Sequence, residues 1–204
     1  VFTVGNYYFN GVGHISVDYE KVLKNGFNGI IREAEAAIVC ADRNNPSFIT
    51  KRNFLEAVII TAKAAIRWSN RFADMAERQA STDSANAQTL RAIAANCRNV
   101  PANPATNFHE ALQSFWFVQA IIQIESNGHS ISPMRFDQYM YSYYKGDLSS
   151  GRLTKESAQE LLDSLWVKFN DINKVRDEAS TKGFGGYPMF QNLIVGGQDR
   201  NGED

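Results

Sequence analysis

Apolar residues recur at three- and four-residue steps through the first half of the chain. Leu23, Phe27, Ile30, Ala34, Ile38 and Ala41 share one face of a helix predicted over residues 16–42, with Ser16 as its N-cap. Gly26 and Gly29 inside it each cost up to about 1 kcal/mol relative to alanine, so both are expected where a neighbour packs closely. A second helix is predicted over residues 46–80, with Leu55, Val58, Ile59, Ala62, Ile66 and Phe72 as its inner stripe. A third, over residues 84–99, is shorter and alanine-rich. Pro101 and Pro104 bracket a connection, and Asn107 followed by Glu110 is a capping-box pattern opening a fourth helix over residues 108–126. Phe115, Trp116, Phe117, Val118, Ile121, Ile122 and Ile124 make that helix apolar nearly all round, so it is expected to be buried.

The two ends read differently. Tyr7, Tyr8 and Phe9 form a β-like run, and Asn10 and Gly11 a turn, which puts His14 on a strand-to-helix connection. Gly185, Gly186 and Pro188 make a turn before MFQNLIV, residues 189–195, which reads as a buried strand stopping at Gly196 and Gly197. The hairpin-type pair Asn201–Gly202 follows two residues before the last position, and VFTV at the start reads like mid-strand. An unpaired apolar strand edge invites association, so the expectation is a segment of a longer polypeptide whose sheet continues past Asp204.

Between these ends, Gly128 and Pro133 break the fourth helix's period and hold His129, Ser130 and Ser132 in an irregular segment. Two hydroxyls and an imidazole there suit a small polyhydroxylated ligand, with helix capping as the competing role. His14 beside its glycines is equally compatible with a structural group and a catalyst.

Composition removes several classes. With a net charge of −1 and dispersed basic residues, neither a nucleic acid nor a membrane surface is expected as partner. No apolar run approaches the roughly 18 residues of a membrane span. Cys40 and Cys97 form no CxxC pair and read as idle or buried thiols, so a cytoplasmic setting is the default. His14 with Asp18, and Glu125 with His129, have four-residue metal-ligand spacing; both pairs straddle a predicted helix end, HExxH is absent, and no metal site is expected. GxGxxG, Walker and GxSxG patterns are absent too. The residues by themselves describe a mainly α chain with two polar loops that could share a pocket.

Three long stretches carry a resemblance: FTVGNYYFNGVGHISVDYEKVL (2–23), ESNGHSISPMRFDQYMY (125–141) and NDINKVRDEASTKGFGGYPMFQNLIVGGQD (170–199). They resemble the cobalamin-independent glycerol dehydratase branch of the glycyl radical enzymes, relatives of pyruvate formate-lyase, with looser agreement over residues 42–107. The resemblance implies long helices flanking strands of an incomplete α/β barrel. Residues 1–204 would be one internal segment of a pyruvate formate-lyase-type domain. It further implies a glycyl radical in a homodimeric parent, installed by a radical S-adenosylmethionine activase, and a small diol as substrate. That radical turns a cysteine into a thiyl radical, which takes hydrogen from a substrate carbon; the neighbouring hydroxyl then leaves as water, which calls for a general acid. By the motif match His14 takes that role, His129 and Ser130 contact substrate hydroxyls, Tyr187 lines the pocket wall, and Asn6 falls at a substrate-selecting position. Histidine at position 14 favours a dehydratase over choline trimethylamine-lyase, where aspartate is expected, and Tyr187 leans toward glycerol over propanediol.

The family's radical cysteine lies in a Cys-x-Glu loop, whereas Cys40 precedes Ala41 and Asp42, and Cys97 precedes Arg98 and Asn99. The radical-glycine loop is missing as well, so the segment alone is expected to be inactive, with no cofactor of its own and with the rest of its chain as a partner. Two alternatives stand beside this: another glycyl radical lyase (hydroxyproline dehydratase, choline trimethylamine-lyase or formate acetyltransferase-like), and a non-catalytic helical interaction domain.

Overall fold

The computed structural model describes residues 14–126, 128, 130–171, 177–184, 189–198 and 201–203. Among these, β1 (Ile15–Ser16) precedes α1 (Tyr19–Val39), α2 (Phe48–Thr82), α3 (Ala87–Asn99) and α4 (Phe108–Glu125); β2 (Ile131–Ser132) then leads to α5 (Phe136–Ser149), α6 (Lys155–Lys168) and α7 (Glu178–Phe184). The mainly α expectation holds. The chain divides into two compact units, Glu20–Phe117 on the one hand and Val1–Tyr19 with Val118–Asp204 on the other.

The first unit is built by small residues at helical spacing. Ala62, Ala65, Ser69, Ala73, Ala76 and Ala80 are the buried positions of α2, a seam narrow enough for α3 to approach closely with Ala94 and Cys97. The larger residues assigned to the inner stripe sit beside this seam; Phe72, for instance, remains 36% exposed. Phe117 closes the cluster, with the Trp68 ring edge-on at 5.5 Å.

Gly26 explains why α1 can bend. Its φ of 61° breaks the helix, and residues 101–105 fill the gap: the Phe27 and Asn28 N–H groups donate to the carbonyls of Pro101 (2.8 Å) and Ala102 (2.9 Å), while the Leu23 carbonyl accepts from Ala105 N–H (2.9 Å). A Cβ at position 26 would lie 2.4 Å from the Ala102 carbonyl oxygen. The close neighbour expected at Gly29 is not there; the atom nearest a Cβ would be Asn25 Cβ of the same helix, at 2.8 Å. At the start of α4, Asn107 Oδ1 accepts from Glu110 N–H at 2.9 Å, and the buried Glu110 carboxylate turns back to accept from Thr106 N–H (2.8 Å), Thr106 Oγ1 (2.7 Å) and Asn99 Nδ2 (2.9 Å). The expected box is there, with Thr106 rather than Asn107 receiving the carboxylate.

The second unit is tied by aromatic rings. Tyr19 stacks on Tyr139 at 5.8 Å, Tyr139 meets Phe136 edge-on at 5.7 Å, Phe136 meets Trp166 at 6.1 Å, and Trp166 stacks on Phe169 at 5.6 Å. Two expectations are corrected here. Ser16 is a strand residue paired with Ser132, so it cannot cap the helix, which begins at Tyr19. Residues 189–195 form no buried strand: Leu193 makes one isolated parallel bridge to Met134, and Val195 is 68% exposed. Hydrophobicity there reflects a half-covered extended edge rather than a central strand.

Candidate functional site

β1 and β2 pair in parallel, with Ile15 opposite Ile131 and Ser16 opposite Ser132. At a strand spacing of about 5 Å, this register brings the residues immediately before them, His14 and Ser130, side by side across more than a hundred positions of sequence. The 189–194 segment joins them. Met189 and Asn192 carbonyls accept from Ser130 N–H (3.2 Å) and Met134 N–H (3.0 Å), and Ile194 N–H donates back to the Met134 carbonyl at 2.7 Å. The Phe190 ring lies 6.4 Å from the His14 ring.

These contacts coincide with backbone strain. Among the described residues, the non-glycine positions with left-handed backbone are His14 (φ 58°), Ser130 (57°), Met134 (55°) and Phe190 (50°). Each costs roughly 1–2 kcal/mol for an L-residue, and such strain persists only where the surroundings over-determine it. Around Ser130 the surroundings are buried and polar. Ile131 is fully buried and Ser132 and Pro133 nearly so, and the Tyr139 hydroxyl donates to the Pro133 carbonyl at 3.0 Å. Burial pushes the Tyr19 and Tyr139 phenols far above their ordinary range, with neighbouring charge adding to it at Tyr139, so both stay neutral donors. The Tyr19 hydroxyl donates to Gln119 Oε1, and Gln119 Nε2 donates to the Ile131 carbonyl at 3.1 Å.

Ser130, like Gln123 through its Oε1, is left out of these bonds. It is 2% exposed, yet its Oγ has no hydrogen-bond partner among the described residues. A buried hydroxyl left this way costs about 1–3 kcal/mol, which a ligand hydroxyl would recover. His14, next to it, is exposed. An imidazole and an orphaned hydroxyl at one strained junction can hold a small polar molecule and pass it a proton.

Of the residues singled out from sequence, His14 and Ser130 come together; Asn6, His129 and Tyr187 lie outside the described residues. Phe190, Met134, Gln119 and Gln191 escaped that reading. A signal for one of them existed: Gln119 and Gln123 stand four apart in the apolar stretch from Phe115 to Ile124, and amides in such a place need a purpose.

The model of the pyruvate formate lyase-like family matches residues 1–204. The chain belongs to that family. Among solved structures of this family's kind, the glycerol-bound B12-independent glycerol dehydratase of Clostridium butyricum is 57% identical with a TM-score of 0.90, over 100% of this chain and 26% of that one. A structure from Roseburia inulinivorans concerned with 1,2-propanediol dehydration is 54% identical with a TM-score of 0.91, over 98% of this chain and 24% of that one. The (2S)-3-sulfopropanediol dehydratase of Klebsiella oxytoca is 36% identical over 211 residues, which cover 100% of this chain and 25% of the relative. The pyruvate formate lyase-like chain thus spans about a quarter of the length of these relatives.

Proposed function

We propose that these 204 residues are an internal part of a glycyl radical diol dehydratase, supplying one wall of its substrate pocket and inactive alone. The supporting observation is the β1–β2 register, which sets the His14 backbone beside that of Ser130, whose buried hydroxyl has no partner among the described residues. Identities of 57% and 54% to structures concerned with glycerol and 1,2-propanediol, against 36% to the sulfonated-diol enzyme, favour an unsubstituted diol.

In this reading the glycyl radical and its partner cysteine, elsewhere in the parent, supply hydrogen abstraction from the carbon bearing a hydroxyl. Ser130 Oγ, together with His129, orients the diol by hydrogen bonds that can be given or received. His14, protonated, donates to the hydroxyl on the neighbouring carbon as the C–O bond breaks; water departs, the imidazole is left neutral, the remaining hydroxyl loses its proton to become the carbonyl, and return of the abstracted hydrogen to the neighbouring carbon completes the aldehyde. Tyr187 and Asn6 border the substrate. The parent is a cytoplasmic homodimer whose activase installs the radical.

The test uses the activated full-length protein that carries this segment, offered glycerol, propane-1,2-diol, hydroxyproline and choline. Aldehyde should form from the two diols, and His14→Ala should lower turnover about 10²- to 10⁴-fold while the glycyl radical signal in electron paramagnetic resonance persists. Near-normal turnover by the variant would reduce His14 to a structural residue. No aldehyde from either diol would move the protein to another branch.

A further inference from the structure

Three glutamines near the site have their amide orientations set by two backbone carbonyls. The Phe169 carbonyl can only accept, so the end of Gln191 facing it at 3.0 Å is the amide nitrogen. Gln191 Oε1 is then left to accept from Gln119 Nε2 at 3.0 Å and from Gln123 Nε2. The Ile131 carbonyl likewise takes Gln119 Nε2, which turns Gln119 Oε1 to the Tyr19 hydroxyl. Gln119 is fully buried and spends both amide hydrogens and its oxygen. A single side chain is thereby bonded to Tyr19, three residues beyond β1, to the first residue of β2, and to the 189–194 segment whose carbonyls hold Ser130 and Met134.

Those are the segments that carry the left-handed residues, and none of their strain is relieved by glycine. Something must hold them, and a buried network whose central amide, that of Gln119, is fully satisfied is the kind of device that does.

We propose that Gln119 is the positioning residue of this site: through Ile131, Tyr19 and Gln191 it sets the relative placement of Ser130 and His14, and it does not touch the substrate. The kinetic part of this rests on the diol-dehydratase reading; the structural part does not. Gln119→Glu keeps the shape and the acceptor for Tyr19 but offers no N–H to Ile131 or Gln191, and Gln119→Met serves where the carboxylate blocks folding.

In the activated full-length protein, either variant should raise KM for glycerol about tenfold or more, kcat should fall but by less than in His14→Ala, and the radical signal should be preserved. Hydrogen exchange of the Ile15, Ser16, Ile131, Ser132 and Met134 amides should accelerate at least tenfold while α2 and α3 keep their protection. An unchanged KM in a folded variant, or protection lost evenly along the chain, overturns the proposal. If the unmodified protein turns over no diol, the proposed function falls, and local against uniform exchange still decides the role of Gln119.

Discussion

The unit around α2 and α3 and the unit around β2 differ in which residues they place on left-handed backbone. In the first, backbone that must leave the ordinary regions of φ is given a glycine: Gly26, at φ 61°, sits where residues 101–105 press against the opened helix. The second uses glycine the same way at Gly128, Gly151, Gly196 and Gly197, but among the described residues it also holds His14, Ser130, Met134 and Phe190 in that region of φ, and the buried Ser130 hydroxyl has no partner among them. A stability-driven sequence would place glycine or asparagine at such positions. That it keeps His14, Ser130, Met134 and Phe190 says the side chains matter there more than the backbone's comfort, which is how a site differs from a scaffold.

The largest effect that could break this contrast is at Gly26. A methyl group there meets the Ala102 carbonyl oxygen at 2.4 Å and its backbone at φ 61° is strained for any L-residue, so Gly26→Ala should destabilise the protein by about 3 kcal/mol, read from denaturant unfolding. A change under about 0.5 kcal/mol would mean residues 101–105 move aside freely, and the glycine would carry no more information than the strained residues do.

Ser130→Gly runs the other way. It relieves left-handed strain and removes an unsatisfied buried hydroxyl, against the extra chain entropy of glycine, so stability should rise by about 1 kcal/mol. Affinity for glycerol in the full-length protein should fall in the same variant. A residue whose loss stabilises the fold and weakens ligand binding is one retained for function. A loss of stability at this position would place Ser130 with the scaffold.

The same contrast governs what the sequence could reveal. Periodic helices were legible because burial repeats every three to four residues, and Gly26 was legible because glycine inside a helix is costly. In α2 the hydropathy pattern favours Leu55, Ile59 and Ile66, whereas the buried positions are the alanines and Ser69 between and beyond them. α5 and α6 lie outside the helices predicted from periodicity, although Thr154 and Ser157 form a reciprocal cap at 3.1 Å and 2.9 Å that opens α6. Of the site, His14 and Ser130 could be singled out by their chemistry and by the resemblance, but their adjacency comes from a pairing of only two residues per strand, too short for any pattern. The role of Phe190 depends on a left-handed φ that no phenylalanine announces.

The smallest effect concerns His109, in the first turn of α4 within the alanine-seamed unit. Burial lowers its pKa below the ordinary imidazole value, with the Glu110 charge opposing in part. Because the folded protein resists protonation that the unfolded chain accepts, stability is complete above the unfolded value near pH ~6.5 and declines as pH falls from there through the folded one. Unfolding free energies measured from pH ~7.5 downward should show this loss, and His109→Gln should flatten it while leaving diol turnover by the activated full-length protein unchanged. A flat profile in the unmodified protein would remove the burial argument. A turnover defect in His109→Gln would do more: it would carry function into the unit read as scaffold, and a shifted imidazole is by itself no evidence of that, since structural burial shifts pKa values just as active sites do.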